Sequence, residues 1–113
     1  MRAVLAVLLA LSPALPAAAE DGQALFNAQC RSCHNQTGPA GPALKGVVGR
    51  KIATVPGFAY SPGLKAKGGT WTDASLEAYL ANPSGFAPGT RMFARVAQPG
   101  ARAAIIGYLK TQK

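Results

Sequence analysis

The 113-residue chain is 49% apolar, with two Cys, one His, two Met and twelve basic against four acidic residues, a formal net charge of +8. That is the size of one small domain; the apolar fraction excludes a disordered chain, and two Cys are too few for a disulfide scaffold. A core this small needs something besides its own side chains to hold it.

Arg2 provides a positive n-region, Ala3 to Leu11 is an unbroken apolar run, and Ala17-Ala18-Ala19 forms a small-residue cleavage site before Glu20. Residues 1–19 therefore read as a secretory signal peptide and 20–113 as the domain. The alternative, an uncleaved membrane anchor, is opposed by Pro13 and Pro16 in a stretch already short for a bilayer span. Cleavage takes away Arg2 and leaves 94 residues with eleven basic and four acidic side chains, a net +7. The expected location is the periplasm.

Asp21 reads as the N-cap of a helix over 22–29, with Leu25, Phe26 and Ala28 on its apolar face. That helix runs into Cys30-Arg31-Ser32-Cys33-His34, a C-x-x-C-H sequence in a chain with no other Cys and no other His. This is the attachment pattern of a c-type haem. Residues three apart share one side of a helical turn, so both thiols reach the vinyl groups of one porphyrin as thioethers, and His34 is carried to the iron. One ring nitrogen then ligates while the other donates to a nearby carbonyl, which fixes the tautomer and the ring plane.

Three other readings of the motif are weaker. A structural zinc site wants about four Cys or His ligands, more than this chain has. A thioredoxin-like dithiol needs a βαβ setting, and the flanking sequence offers no parallel strands. A disulfide between Cys30 and Cys33 would close a loop too small to constrain much, and would leave His34 without a role.

Residues 35–70 are rich in Gly and Pro with little periodicity, as in Gly38-Pro39-Ala40-Gly41-Pro42 and Val55-Pro56-Gly57-Phe58, and read as loop. So long a loop fits a compact domain only where another body organises it, and a haem face is such a body. Thr72 reads as the N-cap of a second helix, with Trp71 and Leu76 as a hydrophobic staple and Leu76, Tyr79 and Leu80 on one face. Asn82-Pro83 ends it.

Pro88-Gly89-Thr90-Arg91-Met92 holds the only Met left after cleavage. With the single His already used, Met92 is by elimination the second axial ligand, although a lone Met is more often a core gap-filler. His/Met ligation raises the reduction potential and leaves no open iron position, as suits an electron carrier. A last helix is expected from Pro99 to Lys113, with Ala101, Ile105, Tyr108 and Leu109 on its apolar face. No phosphate-binding Gly loop, Ser/His/Asp set or pair of carboxylates for acid/base work is present, so no enzyme activity is expected.

At this point the chain resembles a family: the class I monohaem cytochromes c, similar to mitochondrial cytochrome c and its soluble bacterial counterparts. The resemblance spans 21–112 and rests, beyond the C-x-x-C-H motif, on Gly41-Pro42, Gly49-Arg50-Lys51, Pro56-Gly57-Phe58-Ala59-Tyr60, Lys67-Gly68-Gly69-Thr70-Trp71, Tyr79-Leu80-Ala81-Asn82-Pro83, Pro88-Gly89-Thr90-Arg91-Met92 and Ile106-Gly107-Tyr108-Leu109-Lys110. It implies a small all-α fold whose N- and C-terminal helices cross, with Gly22 and Phe26 packed on Ile105 and Tyr108, around one covalently bound haem c.

By the same resemblance Pro42 supplies the carbonyl for His34, Tyr60 and Trp71 donate to a buried haem propionate, Arg50 balances its charge, and Tyr79 sits beside the Met92 sulfur. Ordinary aromatic core is the competing account of Tyr60, Trp71 and Tyr79. Thr90 is either a loop-fixing or a turn residue. Four features depart from the family pattern. The segment between His34 and Pro42 is short, Leu64 falls where an Asn is common, Met92 to Val96 is one residue short, and Ser84-Gly85 replaces a Lys pair.

The basic charge points to acidic docking surfaces of redox proteins, with Lys45, Arg91 and Arg95 as candidates near the haem edge. Nucleic acid is not expected, since no basic helix carries interleaved aromatics. The expected function is that of a soluble, monomeric, periplasmic one-electron carrier between respiratory or photosynthetic complexes: a cytochrome bc-type complex, terminal oxidase, reaction centre or periplasmic dehydrogenase. A haem enzyme or gas sensor with an open iron position, and a small thiol module, are the competing classes.

Overall fold

Asp21 begins the described fold by capping a helix with its carboxylate, which accepts the backbone N–H groups of Gln23 and Ala24 at 3.1 and 3.3 Å. The computed structural model describes residues 21–35 and 40–113, together with Ala3. The expected signal peptide, Ala3 apart, and the loop residues Gly38 and Pro39 lie outside the described residues. Among the described residues five helices follow in order: α1 (Gly22–Gln29), α2 (Pro62–Lys67), α3 (Asp73–Ala81), α4 (Pro83–Phe86) and α5 (Pro99–Thr111). Among the described residues there is no strand, only an isolated antiparallel bridge between Lys51 and Thr70.

Helices α1 and α3 pack on α5, and α4 packs on α3. The expected contact between the terminal helices is present: the Phe26 and Tyr108 rings lie 5.3 Å apart, and Gly22 sits against Ala104 and Tyr108. Leu25 and Phe26 of α1 are partly buried against the core, but Ala28 is exposed, because the helix rests on α5 over a narrow stripe. On α5, Ala101, Ile105 and Leu109 are buried as expected. Ile106, one position round from Ile105, is buried as well, and Tyr108 is only half-buried.

Thr72 caps α3 through a reciprocal arrangement: its hydroxyl accepts the Ser75 N–H at 3.2 Å, and the Ser75 hydroxyl accepts the Thr72 N–H at 2.8 Å. This is the capping box with Ser in the place of Glu. Trp71 before the cap and Leu76 in the second turn are both buried, as a hydrophobic staple requires.

Two helices depart from the expected loops. The segment 35–70 contains α2, which Ser61 caps by accepting the Leu64 N–H at 3.3 Å and which Pro62 opens. A Pro with φ already fixed for a helix starts one here instead of breaking the chain. Asn82-Pro83 likewise ends α3 and at once begins α4, with the Asn82 side chain accepting the Gly85 N–H at 3.1 Å. That turn brings Phe86 onto Trp71, ring centroids 5.7 Å apart and nearly parallel, while Tyr79 lies 5.3 Å from Trp71 and 5.4 Å from Phe86.

Gly22 is required by close approach. A Cβ there would overlap the Ala104 carbonyl oxygen and stand 2.9 Å from Tyr108 Cβ. Gly22→Ala is expected to destabilise the fold by about 1–3 kcal/mol through overpacking. Urea denaturation should show the midpoint falling at constant m.

Candidate functional site

The C-x-x-C-H segment continues α1 as an irregular turn. The Cys30 and Arg31 N–H groups both donate to the Phe26 carbonyl, at 2.8 and 3.0 Å, and the His34 N–H donates to the Cys30 carbonyl at 2.8 Å. Cys30 is buried, Cys33 is exposed, and no disulfide joins them. Burial pushes the Cys30 thiol up from its ordinary pKa.

His34 is held through Nδ1, 2.9 Å from the Pro42 carbonyl oxygen. A carbonyl only accepts, so Nδ1 carries the hydrogen and Nε2 presents its lone pair. Gly41 makes room for the ring, since a Cβ there would lie 2.8 Å from both Nδ1 and Cε1.

These three side chains line a cavity of about 510 Å³. Met92 and Pro42 line it too, as do Arg50, Tyr60, Trp71 and Tyr79, so the structure gathers all nine residues named from the sequence around one space. Its apolar walls include Leu64 and Leu76, Leu80, Ile105 and Leu109 of the core.

Arg50 donates from Nη2 to the Ala43 carbonyl at 2.9 Å and from Nη1 to the Lys45 carbonyl at 3.3 Å. A guanidinium has five donors, so part of its capacity remains for an anion. The Tyr60 hydroxyl accepts the Val55 N–H at 3.0 Å, which leaves its own hydrogen available to donate. Trp71 is 7% exposed, and its indole N–H has no hydrogen-bond partner among the described residues.

Tyr79 and Met92 are linked through Thr90. The Tyr79 and Thr90 hydroxyl oxygens are 2.7 Å apart, and the Met92 N–H donates to Thr90 Oγ1 at 3.3 Å. Thr90 does both things open to it: its hydroxyl fixes the loop, and its N–H donates to the Ala87 carbonyl at 2.9 Å to close a turn. Arg91 donates to the Ala59 carbonyl and so ties the Met92 loop to the segment before α2. Leu64 is buried in the wall where the family resemblance gives Asn, making that side apolar.

The donor set fits a haem: two thiols in C-x-x-C register, an imidazole nitrogen with a free lone pair, a thioether sulfur, apolar walls, and a buried indole N–H unpartnered among the described residues. Among the described residues no three His, Cys, Asp or Glu converge as an ion site.

Residues 17–109 match the family described as "Cytochrome C oxidase, cbb3-type, subunit III". The chain is 43% identical to cytochrome c of Euglena viridis over 99 residues, which are 84% of this chain and 97% of that protein. It is also 43% identical to the cytochrome c-type cyt cy of Rhodobacter capsulatus over 96 residues, 82% of this chain and 48% of that one, and so spans about half of that longer relative. The solved structure of cytochrome cH from Methylobacterium extorquens superposes with a TM-score of 0.74 at 42% identity, covering 80% of this chain and 95% of that one.

The chain belongs to the cytochrome c family, and its fold is that of the class I members. It is a haem c protein that carries electrons, not an enzyme.

Burial raises the Tyr79 phenol above its ordinary pKa, partly offset by the hydrogen bond to Thr90. The folded state thus resists ionisation more than the unfolded chain does. This contribution is fully present below about pH 10 and is lost as pH rises from there through the folded value. Relative to Tyr79→Phe, the native protein should lose more stability between about pH 9 and about pH 11, measured by urea unfolding at each pH.

Proposed function

We propose that this chain is an exported, periplasmic one-electron carrier whose single haem is ligated by His34 and Met92. The observation that carries the reading is the joint lining of one cavity by Cys30, Cys33, a His34 ring oriented by Pro42, and Met92 in a loop anchored by Thr90. Haem c supplies an iron that takes up and returns one electron. Cys30 and Cys33 would anchor it covalently, His34 Nε2 and the Met92 sulfur would ligate its iron, and Arg50, Tyr60 and Trp71 would meet the propionates. The apolar walls would exclude water and favour the less charged ferrous state.

Residues 1–19 would direct export and be removed, leaving 20–113 as the domain. No helix among the described residues is long and apolar enough to cross a membrane. The domain would work as a monomer, docking on acidic faces of a bc-type complex, a terminal oxidase, a reaction centre or a periplasmic dehydrogenase. Lys45, Arg91 and Arg95 are exposed, and Phe93 beside Met92 is 87% exposed, an apolar contact among charges. Such a surface steers encounter by charge and seals it by burying an aromatic ring.

Met92→Ala should retain covalent haem and lose the long-wavelength Met-to-ferric-iron band in the visible spectrum. Persistence of that band would refute the ligand assignment. Arg95→Glu should slow electron transfer with an acidic redox partner several-fold at low salt, with the difference closing as salt screens the charges. Stopped-flow rates across a salt series provide the comparison.

A further inference from the structure

Arg102 lies near the start of α5 with its side chain only 12% exposed. Its guanidinium reaches two parts of the fold. Nε donates to Glu77 Oε1 on α3 at 2.5 Å, while Nη1 donates to the Val96 carbonyl at 2.8 Å and the Ala97 carbonyl at 3.1 Å. Val96 is itself buried, and its N–H donates to the Leu80 carbonyl on α3 at 2.9 Å. Both backbone polar groups of Val96 are therefore fixed, one by α3 and one by Arg102.

On the other side of Met92, Thr90 is held by Tyr79, also on α3. Phe93, Ala94 and Arg95 between these anchors are exposed and make no backbone hydrogen bond among the described residues. Met92 thus hangs between two fastenings on one helix, with Arg91 beside it tied to the Ala59 carbonyl.

We propose that Arg102, paired with Glu77, is a positioning residue for Met92, an inference that rests on the reading of Met92 as the axial ligand. Its grip on Val96 and Ala97 holds the segment against α3 and opposes movement of the Met92 sulfur away from the iron. A planar guanidinium serves a carboxylate and two carbonyls together, which the point charge of Lys does less well. Glu77 offsets a cation that would otherwise be left nearly buried and unpaired.

The test uses the haem-loaded mature protein, with imidazole as the competing ligand for the ferric iron and the Met-to-iron band as the readout. Arg102→Lys and Glu77→Gln should each replace Met92 by imidazole about tenfold faster than native, the scale of one lost charge-assisted hydrogen bond. Lys110→Ala is the control. It breaks the other ion pair between α3 and α5, Lys110 to Asp73 at 2.5 Å, which is exposed and far along α5 from Val96. That variant should exchange at the native rate.

Urea unfolding of each variant separates local loosening from global loss. If Arg102→Lys and Glu77→Gln exchange as slowly as Lys110→Ala, whatever their stability, the positioning role is overturned while the ligand reading stands. If the band survives Met92→Ala, the ligand reading and the positioning role fall together.

Discussion

The packing of the helices and the binding of the cofactor depend on the same side chains. Leu76 and Leu80 of α3, and Ile105 and Leu109 of α5, belong to the buried core and also line the cavity of about 510 Å³. A chain this short gains limited apolar burial from its own residues, so a large flat apolar ligand set among these side chains extends the core. Haem retention and folding are consequently linked. Anything that loosens α3 against α5 also loosens a wall of the site, and haem held covalently through Cys30 and Cys33 remains beside the fold even when that wall opens.

Loops form much of the remaining wall, and hydrogen bonds to their carbonyls fix them where no regular ladder does. His34 is fastened to Pro42, Arg50 to Ala43 and Lys45, and Arg91 to Ala59. Two of these three are Arg side chains that also face the cavity, so one residue both shapes the loop and presents charge to whatever the loop encloses. Backbone pairing of 49–52 with 69–71, including Trp71 N–H on the Arg50 carbonyl at 2.8 Å, sets Arg50 and Trp71 side by side. Two groups expected to meet the same propionate are thus placed by one short antiparallel contact.

Helices with a cap, a repeating apolar face and a stop were legible in the sequence: α1, α3 and α5 lie where Asp21, Thr72 and Pro99 signal them. The short helices α2 and α4 were not, because four to six residues show no period and Ser61-Pro62 and Asn82-Pro83 look like breakers until the chain beyond them is seen to turn. All nine candidate site residues reach one cavity, since motif spacing and family resemblance both encode local chemistry. Arg102 left no such trace. Its partners Glu77, Val96 and Ala97 are joined by the packing of α5 on α3, and nothing in the residue types announces that meeting.

On the proposed reading, the stretch from Arg91 to Arg95 faces two demands that pull against each other. A docking surface needs exposed, chemically varied side chains, and Phe93 and Arg95 are exposed. An axial ligand needs a fixed position, which exposed residues cannot supply through their own packing. The structure separates the demands along the chain by placing the fixing contacts on either side of Phe93 to Arg95, on Thr90 and Arg91 before and on Val96 and Ala97 after. The four residues between Arg91 and Val96 have little slack, because an extended chain advances only about 3.3–3.6 Å per residue. The surface chemistry of Phe93 to Arg95 is thereby free to vary with the partner, while Met92 is held by contacts on either side of that run.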